Sequence, residues 1–578
     1  MTDPARKATR LLPARVDFDG HRPVSVDFDD VYYDADGPAE VERVFVAPAR
    51  IPERSKETDI LTVGELGFGT GLNFIVTASK IRSRLHYISF ERHPLAQADV
   101  ARALTPWKAA YEFGSTLIDA YPPPVPGWHR RIFDAGRVRL SVFFGDVAEG
   151  MADLVRQQQR GVDAWFLDGF APRKNPEMWE GALFRAMAGL SATAASVTTF
   201  SAAGQVRRNL AAAGFETRRV DQRPHKRHTT VATFTGAGRS FTSPPQVTVL
   251  GAGLAGAATA RALAERGIRA IVHDRVGIAA GASSIPAAVL HPRLSPHASA
   301  ESRLRAHAYL FAANRCRHWL GTGASGALQR PRAGTDVERL RGIADAVPDE
   351  VAALVDAARA SELAGIELPT PALFYPGALT VDGAALTADL ATHADIELTT
   401  YANADGPVVR ATGNAIDGFE WLEVTGLAGQ MDRFPCPGPP RLPLVGDSTI
   451  VPARESVWAG ATYEYRPWNP ERATAANSQR FEDVLRQTPG RALERFRGVR
   501  AVTSDHLPVV GCAASDWFNL GHGSHGTSTA ILGAEIIASI IDGEVGPVTS
   551  ELLALLRPSR FKERQERRPN PFLATRGG

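Results

Sequence analysis

The sequence predicts an α/β protein with two doubly wound, Rossmann-like domains in series, the second extended by a mixed or antiparallel sheet. Three observations indicate this fold class. The chain has 578 residues, too many for one hydrophobic core when a domain has roughly 150. Segments 59–81 and 246–275 each pass from an apolar strand through a glycine-rich turn into a helix. Elsewhere in the first half, buried strands alternate with helices, as in parallel sheets that bind ligands at the carboxyl ends of their strands.

Four segments make up the predicted domain organisation. Residues 1–235 form the first domain and residues 247–556 form the second. The segment between them, 236–246, is rich in Gly, Ser and Pro and is interpreted as a linker. The last segment, 557–578, is polar and rich in arginine, and we expect it to be an extended basic tail.

Apolar runs that end at polar residues predict the strands. In the first domain these runs are HYISFER (86–92), VRLSVFFGD (138–146), VDAWFLDGF (162–170) and AASVTTFSA (194–202). In the second domain, VWAGATYEY (457–465) and LPVVGCA (507–513) indicate strands of a more antiparallel layer. The Ala-rich segment 340–364 is predicted to be helical.

Composition excludes several classes of protein. Hydrophobic residues make up 44% of the chain and charged residues 22%, which is too apolar for a mainly disordered protein. The three cysteines (Cys316, Cys436 and Cys512) lie far apart, so neither a disulfide scaffold nor a metal site is expected. The first 20 residues lack the apolar core of a signal peptide, and no apolar run is long enough to span a membrane. We therefore expect a monomeric, cytoplasmic protein.

The first glycine-rich turn predicts a methyl-donor site. ELGFGTGLNF (65–74) follows a strand and opens a helix, and its acidic residue suits a cationic ligand better than a pyrophosphate. This combination resembles the first motif of class I S-adenosylmethionine (SAM) methyltransferases, although one such loop could also be a structural turn. Glu91 and Asp146 end later strands and are placed for the ribose and the adenine. The predicted SAM-binding residues are Glu65, Gly67, Gly69, Gly71, Asn73, Glu91 and Asp146.

Asp168 is the candidate catalytic residue of this domain. It ends a buried strand within DAWFLDGFAPRKNPEMW (163–179), among aromatic residues and prolines. Methyl transfer to an amine needs a free lone pair, so Asp168 could orient the amine or accept its proton. The alternative is an Asp that caps a helix or fixes a loop.

The second glycine-rich turn predicts a dinucleotide site. Gly251, Gly253 and Gly256 follow a strand and open a helix, and Asp274 ends the next strand. This is the whole dinucleotide fingerprint. The late segment WFNLGHGSHGTS (517–528) is typical of glycine-oxidase-like flavoenzymes, so the cofactor is expected to be FAD. The predicted FAD-binding residues are Gly251, Gly253, Gly256, Asp274, Arg275, Ser283, Gly523, Ser524, Gly526 and Thr527.

Arg500 is the candidate catalytic residue of the second domain. Its surroundings, GVRAVTSDHLPVVG (498–511), resemble the flavoenzyme strand that carries a carboxylate-binding arginine. A guanidinium fork suits a carboxylate, and holding it would aim the C–H bond of an amino acid at the flavin. The alternative is a surface or salt-bridged arginine.

Taken together, the two halves resemble the MnmC family of bifunctional tRNA 5-methylaminomethyl-2-thiouridine biosynthesis proteins, over about residues 15–560. The motifs that carry the resemblance are PVSVDFDDVYY (23–33), ELGFGTGLNF, DAWFLDGFAPRKNPEMW, the FAD fingerprint, GASSIPAAVLHPRLS (281–295), LFYPGA (373–378) and NLGHGSHGTSTA (519–530). The resemblance implies an FAD-dependent oxidoreductase acting on a CH–NH bond and a tRNA methyltransferase. The first removes the carboxymethyl group from 5-carboxymethylaminomethyl(-2-thio)uridine at tRNA position 34, and the second methylates the 5-aminomethyl product.

Two segments depart from the family pattern. The family has GASGN where this chain has Gly281-Ala-Ser283-Ser284-Ile, and GSRG where His525 replaces the arginine. If that arginine helps to hold the substrate carboxylate, Arg500 or Arg293 must do more here, or a protonated His525 must substitute for it.

Charge is distributed unevenly along the chain, although its net value is only +2. Residues 205–240 hold eight basic residues against two acidic ones, and residues 557–578 hold seven against two. Such clusters favour contacts with nucleic-acid phosphates, whereas the alternative is a solvated face or a disordered basic end. The residues predicted to contact tRNA or substrate are Arg207, Arg208, Lys226, Arg227 and Arg293.

Two other functions stay open at this point. One is a fused amino-acid oxidase and small-molecule N-methyltransferase that does not act on RNA. The other is a flavin-stabilised RNA-binding protein without catalysis, which only the departures at Ser284 and His525 favour.

Overall fold

A computed structural model describes residues 10–567 apart from 321–325, 333–335, 402–405 and 466; the side chains of residues 226–227 and 318–320 are also outside the description. The chain divides into two compact units. Unit 1 comprises Met1–Ser243 and Ser539–Ser550, and unit 2 comprises Pro244–Ala538 and Glu551–Gly578. In the described part of the chain, helices that combine the length and the apolarity needed to cross a membrane are absent.

Unit 1 is built on an eight-stranded sheet and a small three-stranded meander. Its strands are β1 (Val16–Asp19), β2 (Arg22–Ser25), β3 (Asp30–Val31), β4 (Ile60–Leu66), β5 (Arg84–Glu91), β6 (Gly127–Phe133), β7 (Val138–Phe144), β8 (Val162–Leu167), β9 (Ser191–Thr199), β10 (Phe215–Gln222) and β11 (Lys226–Phe234). Its helices are α1 (Pro38–Val41), α2 (Ile51–Glu57), α3 (Leu72–Lys80), α4 (Gln97–Leu104), α5 (Gly114–Ala120), α6 (Val147–Gln157), α7 (Gly181–Leu190) and α8 (Gly204–Ala212).

In the large sheet of unit 1, the strand order reverses beside the central strand β4. The strand order is β10-β11-β9-β8-β4-β5-β7-β6, with β9, β8, β4, β5 and β7 parallel. The chain turns to opposite sides after β4, so the carboxyl ends of β4, β5 and β8 converge where the order reverses. Alternate residues of β8 enter two different cores, Phe166 on one face and Trp165 on the other, as a strand buried on both faces requires.

Gly64 shows why β4 tolerates only a small residue at its centre. A Cβ at this position would lie 2.3 Å from the ring of Trp165 on the neighbouring strand. The indole therefore lies directly over the glycine, and the two strands stay in register without a cavity between them.

The segment Ser539–Ser550 is part of unit 1, although the sequence predicts it within the second domain. Buried ion pairs explain this assignment. Arg130 and Glu544 are completely buried and lie 3.1 Å apart. Asp542 is also fully buried and pairs with Arg160 at 2.9 Å and with Arg84 at 3.4 Å. Charges this deep need partners, so the segment is bound to unit 1 by its electrostatics.

Unit 2 contains the remaining strands. They are β12 (Gln246–Leu250), β13 (Arg269–His273), β14 (Ala288–Leu290), β15 (Ala327–Gln329), β16 (Ala353–Val355), β17 (Ala372–Tyr375), β18 (Leu379–Val381), β19 (Ile396–Thr399), β20 (Val408–Arg410), β21 (Val424–Pro435), β22 (Leu444–Val445), β23 (Thr449–Ala453), β24 (Ser456–Gly460), β25 (Glu494–Thr503), β26 (Val509–Ala513) and β27 (Asp516–Leu520).

The later helices follow the same chain order. They are α9 (Leu254–Ala264), α10 (Ala300–Leu320), α11 (Asp336–Ala346), α12 (Ala357–Ala364), α13 (Gly383–Leu390), α14 (Pro470–Leu485), α15 (Gly526–Ile541), α16 (Ser550–Ala554) and α17 (Arg560–Arg567). Single helical turns of other types occur at Glu42–Val46, Asp134–Gly136, Pro176–Trp179, Ala282–Ser284, Glu420–Leu422 and Gly523–His525.

Two main sheets form unit 2. The first has the order β19-β13-β12-β20-β27-β26 and is parallel except for β26. The second has the order β16-β17-β15-β22-β23-β24-β21-β25 and is antiparallel except for the β15–β22 pair. The prediction of a Rossmann-like domain with a mixed, mostly antiparallel second sheet is confirmed.

The predicted linker is bound to unit 1 by a backbone hydrogen bond, and the first part of the predicted tail is helical. The linker has no regular structure, but the amide of Arg239 donates to the carbonyl of Ser191 at 2.8 Å. The tail was expected to be extended, yet its first part forms α17, because Phe561 is fully buried and Arg560 pairs with Asp505 at 2.9 Å. Residues 568–578 lie outside the described part.

The buried pair in unit 1 leads to a stability prediction. Replacing Glu544 by Ala should destabilise the sheet around β6 by about 3–5 kcal/mol, because it removes the carboxylate that balances the buried charge of Arg130. The measurement is hydrogen exchange of the β6 and β7 amides in the full chain. The matched control is Glu551→Ala. Glu551 is 61% exposed and pairs with Arg303, so its loss should lower the free energy of unfolding by less than about 1 kcal/mol. Equal protection in both variants would contradict the prediction.

Candidate active sites

A cavity of about 520 Å³ opens at the carboxyl ends of the central strands of unit 1. The predicted residues Gly67, Gly69, Asn73, Glu91, Asp146 and Asp168 line it. The wall is strongly acidic, with seven carboxylates against one arginine and one lysine. That balance suits a cationic sulfonium donor and an amine acceptor, whereas a pyrophosphate would be repelled.

The glycines of the first turn are needed for close backbone packing. Gly67 has φ +97°, and a Cβ there would lie 2.7 Å from the carbonyl oxygen of Asp168. Gly69 has φ +51°, and its Cβ would lie 3.2 Å from the ring of Tyr32. The turn therefore fits tightly between two walls of the cavity. Gly71 is not on the wall; it precedes α3 with φ +78° and permits the helix to begin.

Glu91 is held rigidly at the end of β5. Its two carboxylate oxygens accept hydrogen bonds from the amides of Gly69 and His93, each at 2.8 Å. Burial raises the pKa of Glu91 to about 7. The structure therefore places Glu91 in the cavity wall, and its contact with the ribose hydroxyls of SAM stays a prediction.

Glu65 differs from its predicted place. It is fully buried behind the turn and does not line the cavity. Its carboxylate accepts hydrogen bonds from Asn73 Nδ2 at 2.8 Å and from Ser89 Oγ at 2.7 Å. Burial raises the pKa of Glu65 to about 8. The contact with SAM proposed for Glu65 is therefore replaced by a contact with Asn73.

Asn73 connects that buried acid to the candidate catalytic residue. The same Nδ2 group donates to Asp168 Oδ2 at 2.7 Å. Asp168 follows β8, and its amide donates to the carbonyl of Leu66 at 3.0 Å, so both its backbone and its side chain are fixed. The helix-capping alternative for Asp168 applies instead to Asp146, which accepts from the amide of Ala148 at 2.9 Å at the start of α6.

Aromatic side chains that the sequence analysis missed complete the wall. Phe28, from the meander, stacks on Phe170 with ring centroids 4.6 Å apart, and Tyr32 meets Phe170 edge-on at 5.3 Å. Both meander residues lie within PVSVDFDDVYY, and its dense aromatic residues were the signal that could have identified them. These rings add apolar surface to the cavity wall.

The glycine fingerprint of unit 2 fits the dinucleotide prediction. A Cβ on Gly251, which has φ +102°, would lie 2.5 Å from the carbonyl of Ala411, and a Cβ on Gly256 would lie 1.8 Å from the carbonyl of Gly251. These two glycines allow β12 and α9 to pack closely. Gly253 borders Ser283, whose hydroxyl accepts a hydrogen bond from the amide of Leu254 at 2.8 Å.

Asp274 lies at the end of β13, beside this turn. It accepts hydrogen bonds from the amides of Ala252 (2.8 Å), Val276 (2.8 Å) and Gly277 (3.1 Å). Burial raises the pKa of Asp274, but the three amides outweigh it and hold the pKa below its usual value. A carboxylate has about four acceptor positions, so one is left for a ribose hydroxyl of FAD. Arg275 is exposed beside it.

The late glycine loop lies next to the fingerprint. Asn519, at the end of β27, donates to the carbonyl of Ala255 at 3.3 Å and to Thr259 Oγ1 at 3.1 Å, both in α9. Ser524 forms a 3.0 Å hydrogen bond with the hydroxyl of Tyr463. The predicted loop residues Gly523, Gly526 and Thr527 are partly buried at the start of α15. The glycine fingerprint and the late glycine loop, which were predicted separately to bind FAD, therefore lie next to each other in unit 2.

Arg500 lies on β25 next to this loop. Its guanidinium donates to the carbonyl of Thr462 at 3.3 Å and lies 4.8 Å from the centre of the Tyr463 ring. Burial lowers the pKa of Arg500. Within the described residues it has no acidic partner, so the salt-bridge alternative is not supported. A partly buried arginine without a carboxylate is available to bind one.

His525 does not supply the charge of the arginine it replaces. Burial, with the nearby His291, Arg305 and Arg293, lowers the pKa of His525 to about 3. The expectation of a protonated His525 is therefore wrong, since the ring is neutral at physiological pH. Arg293 is exposed and borders the same small pocket, so a positive charge is still present there.

The predicted tRNA-contacting residues of unit 1 are only partly described. Arg208 is exposed on α8 and donates to Gln205 at 2.8 Å, whereas Arg207 is half-buried. Lys226 and Arg227 begin β11, but their side chains lie outside the described part.

Fold and sites define a fusion of a SAM-dependent methyltransferase with an FAD-dependent oxidoreductase. Residues 108–235 match the family of S-adenosyl-L-methionine-dependent methyltransferases, and residues 246–540 match the FAD dependent oxidoreductase family. The predictions of SAM and FAD as cofactors are confirmed.

Similar proteins identify the particular family. The chain is 34% identical to the tRNA 5-methylaminomethyl-2-thiouridine biosynthesis bifunctional protein MnmC of Chromobacterium violaceum, over 93% of this chain and 96% of that protein. It is 33% identical to the MnmC protein of Ectopseudomonas mendocina, over 96% of this chain and 98% of that one. The chain belongs to the MnmC family, as the sequence motifs indicated.

Among solved structures, glycine oxidase from Geobacillus kaustophilus is 20% identical, with a TM-score of 0.46, covering 55% of this chain and 99% of that one. A likeness of this size carries no functional argument.

The fingerprint yields a prediction about flavin binding. Gly256→Ala should yield protein without bound FAD, because its Cβ would lie 1.8 Å from the Gly251 carbonyl and separate β12 from α9. The control is Gly189→Ala in α7, where nothing lies within 4 Å of the added carbon. The measurement is the visible flavin spectrum of each purified variant. A yellow Gly256→Ala protein with a normal FAD-to-protein ratio would contradict the prediction.

Proposed function

We propose that this chain performs two consecutive reactions on the wobble uridine, position 34, of tRNA. Unit 2 removes the carboxymethyl group of 5-carboxymethylaminomethyl(-2-thio)uridine, and unit 1 methylates the resulting 5-aminomethyl group. The observation that carries the proposal is the identity with MnmC proteins over more than nine-tenths of the chain, spanning both units.

Arg500 is proposed to position the substrate of the oxidative step. The carboxymethylamino group is a glycine unit attached to a base through a methylene, so it presents a carboxylate on the carbon of the C–N bond to be oxidised. FAD, when bound, would accept a hydride (two electrons and one proton) from the CH of this CH–NH group, and the N–H proton would be released. The substrate becomes an imine, and water then cleaves it into glyoxylate and the 5-aminomethyl nucleoside. An arginine without an acidic partner beside the FAD loop is suited to hold the carboxylate throughout.

Asp168 is proposed to prepare the amine for methylation. The 5-aminomethyl product is an ammonium group in water and must lose a proton before its lone pair can attack the methyl group of SAM. Asp168 can accept a hydrogen bond from the amine and take this proton, while Asn73 keeps its carboxylate in place. The acidic cavity favours both the cationic donor and the incoming amine.

Exposed arginines support a tRNA substrate. Arg208, Arg218 and Arg219 are exposed in unit 1 within the basic segment 205–240, although Arg223 pairs with Asp221 at 2.5 Å. Unpaired guanidinium groups bind phosphates and make affinity depend on salt.

Nucleoside mass spectrometry of tRNA tests both steps at once. Cells lacking the protein should accumulate the 5-carboxymethylaminomethyl nucleoside. Cells with Asp168→Ala should accumulate the 5-aminomethyl nucleoside, and cells with Arg500→Ala should resemble the deletion while the purified variant keeps its flavin. An unchanged nucleoside profile in the deletion strain would refute the proposal. Turnover of glycine or sarcosine without any effect on tRNA would favour a small-molecule oxidase fused to a small-molecule methyltransferase.

The hydrogen bond between Asn73 and Asp168 gives a separate prediction. Asn73→Ala should lower kcat for methyl transfer roughly 10- to 100-fold, the expected loss for a hydrogen bond to a charged group. The KM for SAM should change much less, since the backbone turn and Glu91 remain. Ser89→Ala, which alters only the far side of Glu65, serves as the control and should have a smaller effect. Steady-state kinetics with 5-aminomethyl tRNA measure both constants, and an unchanged kcat for Asn73→Ala would contradict the prediction.

A further inference from the structure

A group of aromatic and arginine side chains lies exposed beside the predicted flavin loop of unit 2. We refer to Tyr463, Tyr465, Trp468 and Arg497 as the aromatic surface. The three rings lie between β24 and α14 and are 49%, 83% and 37% exposed. Arg497 is an exposed residue of β25. Large rings are usually buried, so three of them open to solvent within six residues indicate a binding surface.

Arginines lie over two of these rings. The guanidinium carbon of Arg497 is 4.7 Å from the centre of the Trp468 ring, and that of Arg500 is 4.8 Å from the Tyr463 ring. Within the described residues neither arginine has an acidic partner, unlike Arg472, which pairs with Glu464 at 3.0 Å. The surface therefore offers flat rings together with positive charge that is not neutralised.

A buried network holds Trp468 in place. Its Nε1 donates to Gln430 Oε1 at 3.0 Å. The side-chain nitrogen Nε2 of Gln430 donates to both oxygens of Asp432, at 3.0 and 2.9 Å, and to Thr474 Oγ1 at 2.9 Å. Gln430 and Asp432 are completely buried. A ring fixed in this way loses little conformational entropy when another ring stacks on it.

The aromatic surface is continuous with the oxidase site. The hydroxyl of Tyr463 bonds to Ser524 in the late glycine loop at 3.0 Å, and the ring of the same residue lies under Arg500. A ligand that reaches Arg500 therefore lies beside the ring of Tyr463, one of the three rings of the aromatic surface.

We propose that the aromatic surface binds the unpaired anticodon-loop nucleotides of the tRNA, stacking bases on Tyr465 and Trp468 and pairing a phosphate with Arg497. This inference rests on the proposed function and adds how the oxidase unit holds its macromolecular substrate. Single-stranded nucleic acid is recognised by exposed aromatic rings combined with basic side chains. A protein partner would favour aliphatic contacts beside the rings as well. Among the described residues of 461–502, the exposed large aliphatic side chains are Leu493, at 57%, and Val499, at 37%, and neither lies in the segment 463–468 that carries the rings.

Kinetics with two substrates test the inference on the full-length, flavin-loaded enzyme. Tyr465→Ala should raise the KM for 5-carboxymethylaminomethyluridine-containing tRNA roughly 5- to 150-fold, the range for loss of one base stack. Arg497→Gln should also raise this KM, because it removes a phosphate contact. The KM for the free 5-carboxymethylaminomethyluridine nucleoside should rise much less, since it has neither neighbouring bases nor phosphates. Arg497→Gln should also reduce the salt dependence of tRNA binding by about one ion.

Matched controls come from elsewhere in unit 2. Tyr401→Ala removes a ring that is 84% exposed, and Arg359→Gln removes a positive charge on α12; both should behave as wild type. Wild-type KM values for tRNA in Tyr465→Ala and Arg497→Gln would overturn the inference, as would equal losses on tRNA and nucleoside. A wild-type enzyme that oxidises the nucleoside but not the tRNA would instead refute the proposed function itself, so the two failures are distinguishable.

Discussion

A single chain of hydrogen bonds organises the methyltransferase cavity. It runs from Ser89 on β5 to Glu65 on β4, then through Asn73 on α3 to Asp168 after β8. Each member belongs to a different element, so these hydrogen bonds join the ends of three parallel strands to α3, the helix that follows the glycine turn. Because Asn73 donates to two carboxyl groups at once, the position of the reactive acid depends, through Asn73, on Glu65, which is fully buried and does not line the cavity. The glycine turn lies beside this chain of hydrogen bonds, and Glu91 is bound to the turn through the amide of Gly69.

The oxidase unit reaches a comparable rigidity by another route. Its turn is fixed by backbone contacts at Gly251 and Gly256 that leave no room for a side chain. Asp274 and Ser283 bind that turn by accepting amide hydrogen bonds, and Asn519 connects the late loop to α9. The two sites are alike in one respect. In each, a carboxylate beside the glycine turn accepts hydrogen bonds from backbone amides, and its remaining acceptor positions are available to a ligand.

Much of this could be predicted from local sequence. Glycine turns, strand ends and the acids that follow them are encoded within a few residues. Gly67 and Gly251 were therefore predicted correctly to lie in glycine turns, and Glu91 and Asp274 at the ends of the next strands. The place of Glu65 could not be predicted, because whether a side chain at a strand end faces a cavity or the sheet depends on how neighbouring strands pack. The aromatic residues Tyr32 and Trp468 were missed for a related reason, since their partners are distant in sequence. The neutral state of His525 follows from burial among other cations, which no linear pattern reveals.

The return of residues 539–550 to unit 1 has a consequence for biosynthesis. Unit 1 is not contiguous in the gene, because all of Pro244–Ala538 is translated before the segment that carries Glu544. At 5–20 residues per second, roughly 300 residues of delay correspond to about 15–60 s on the ribosome. During that interval the guanidinium of Arg130 has no Glu544 to meet. The methyltransferase fold can therefore be completed only after the oxidase sequence has emerged, and a nascent chain that stops early leaves both units unfinished.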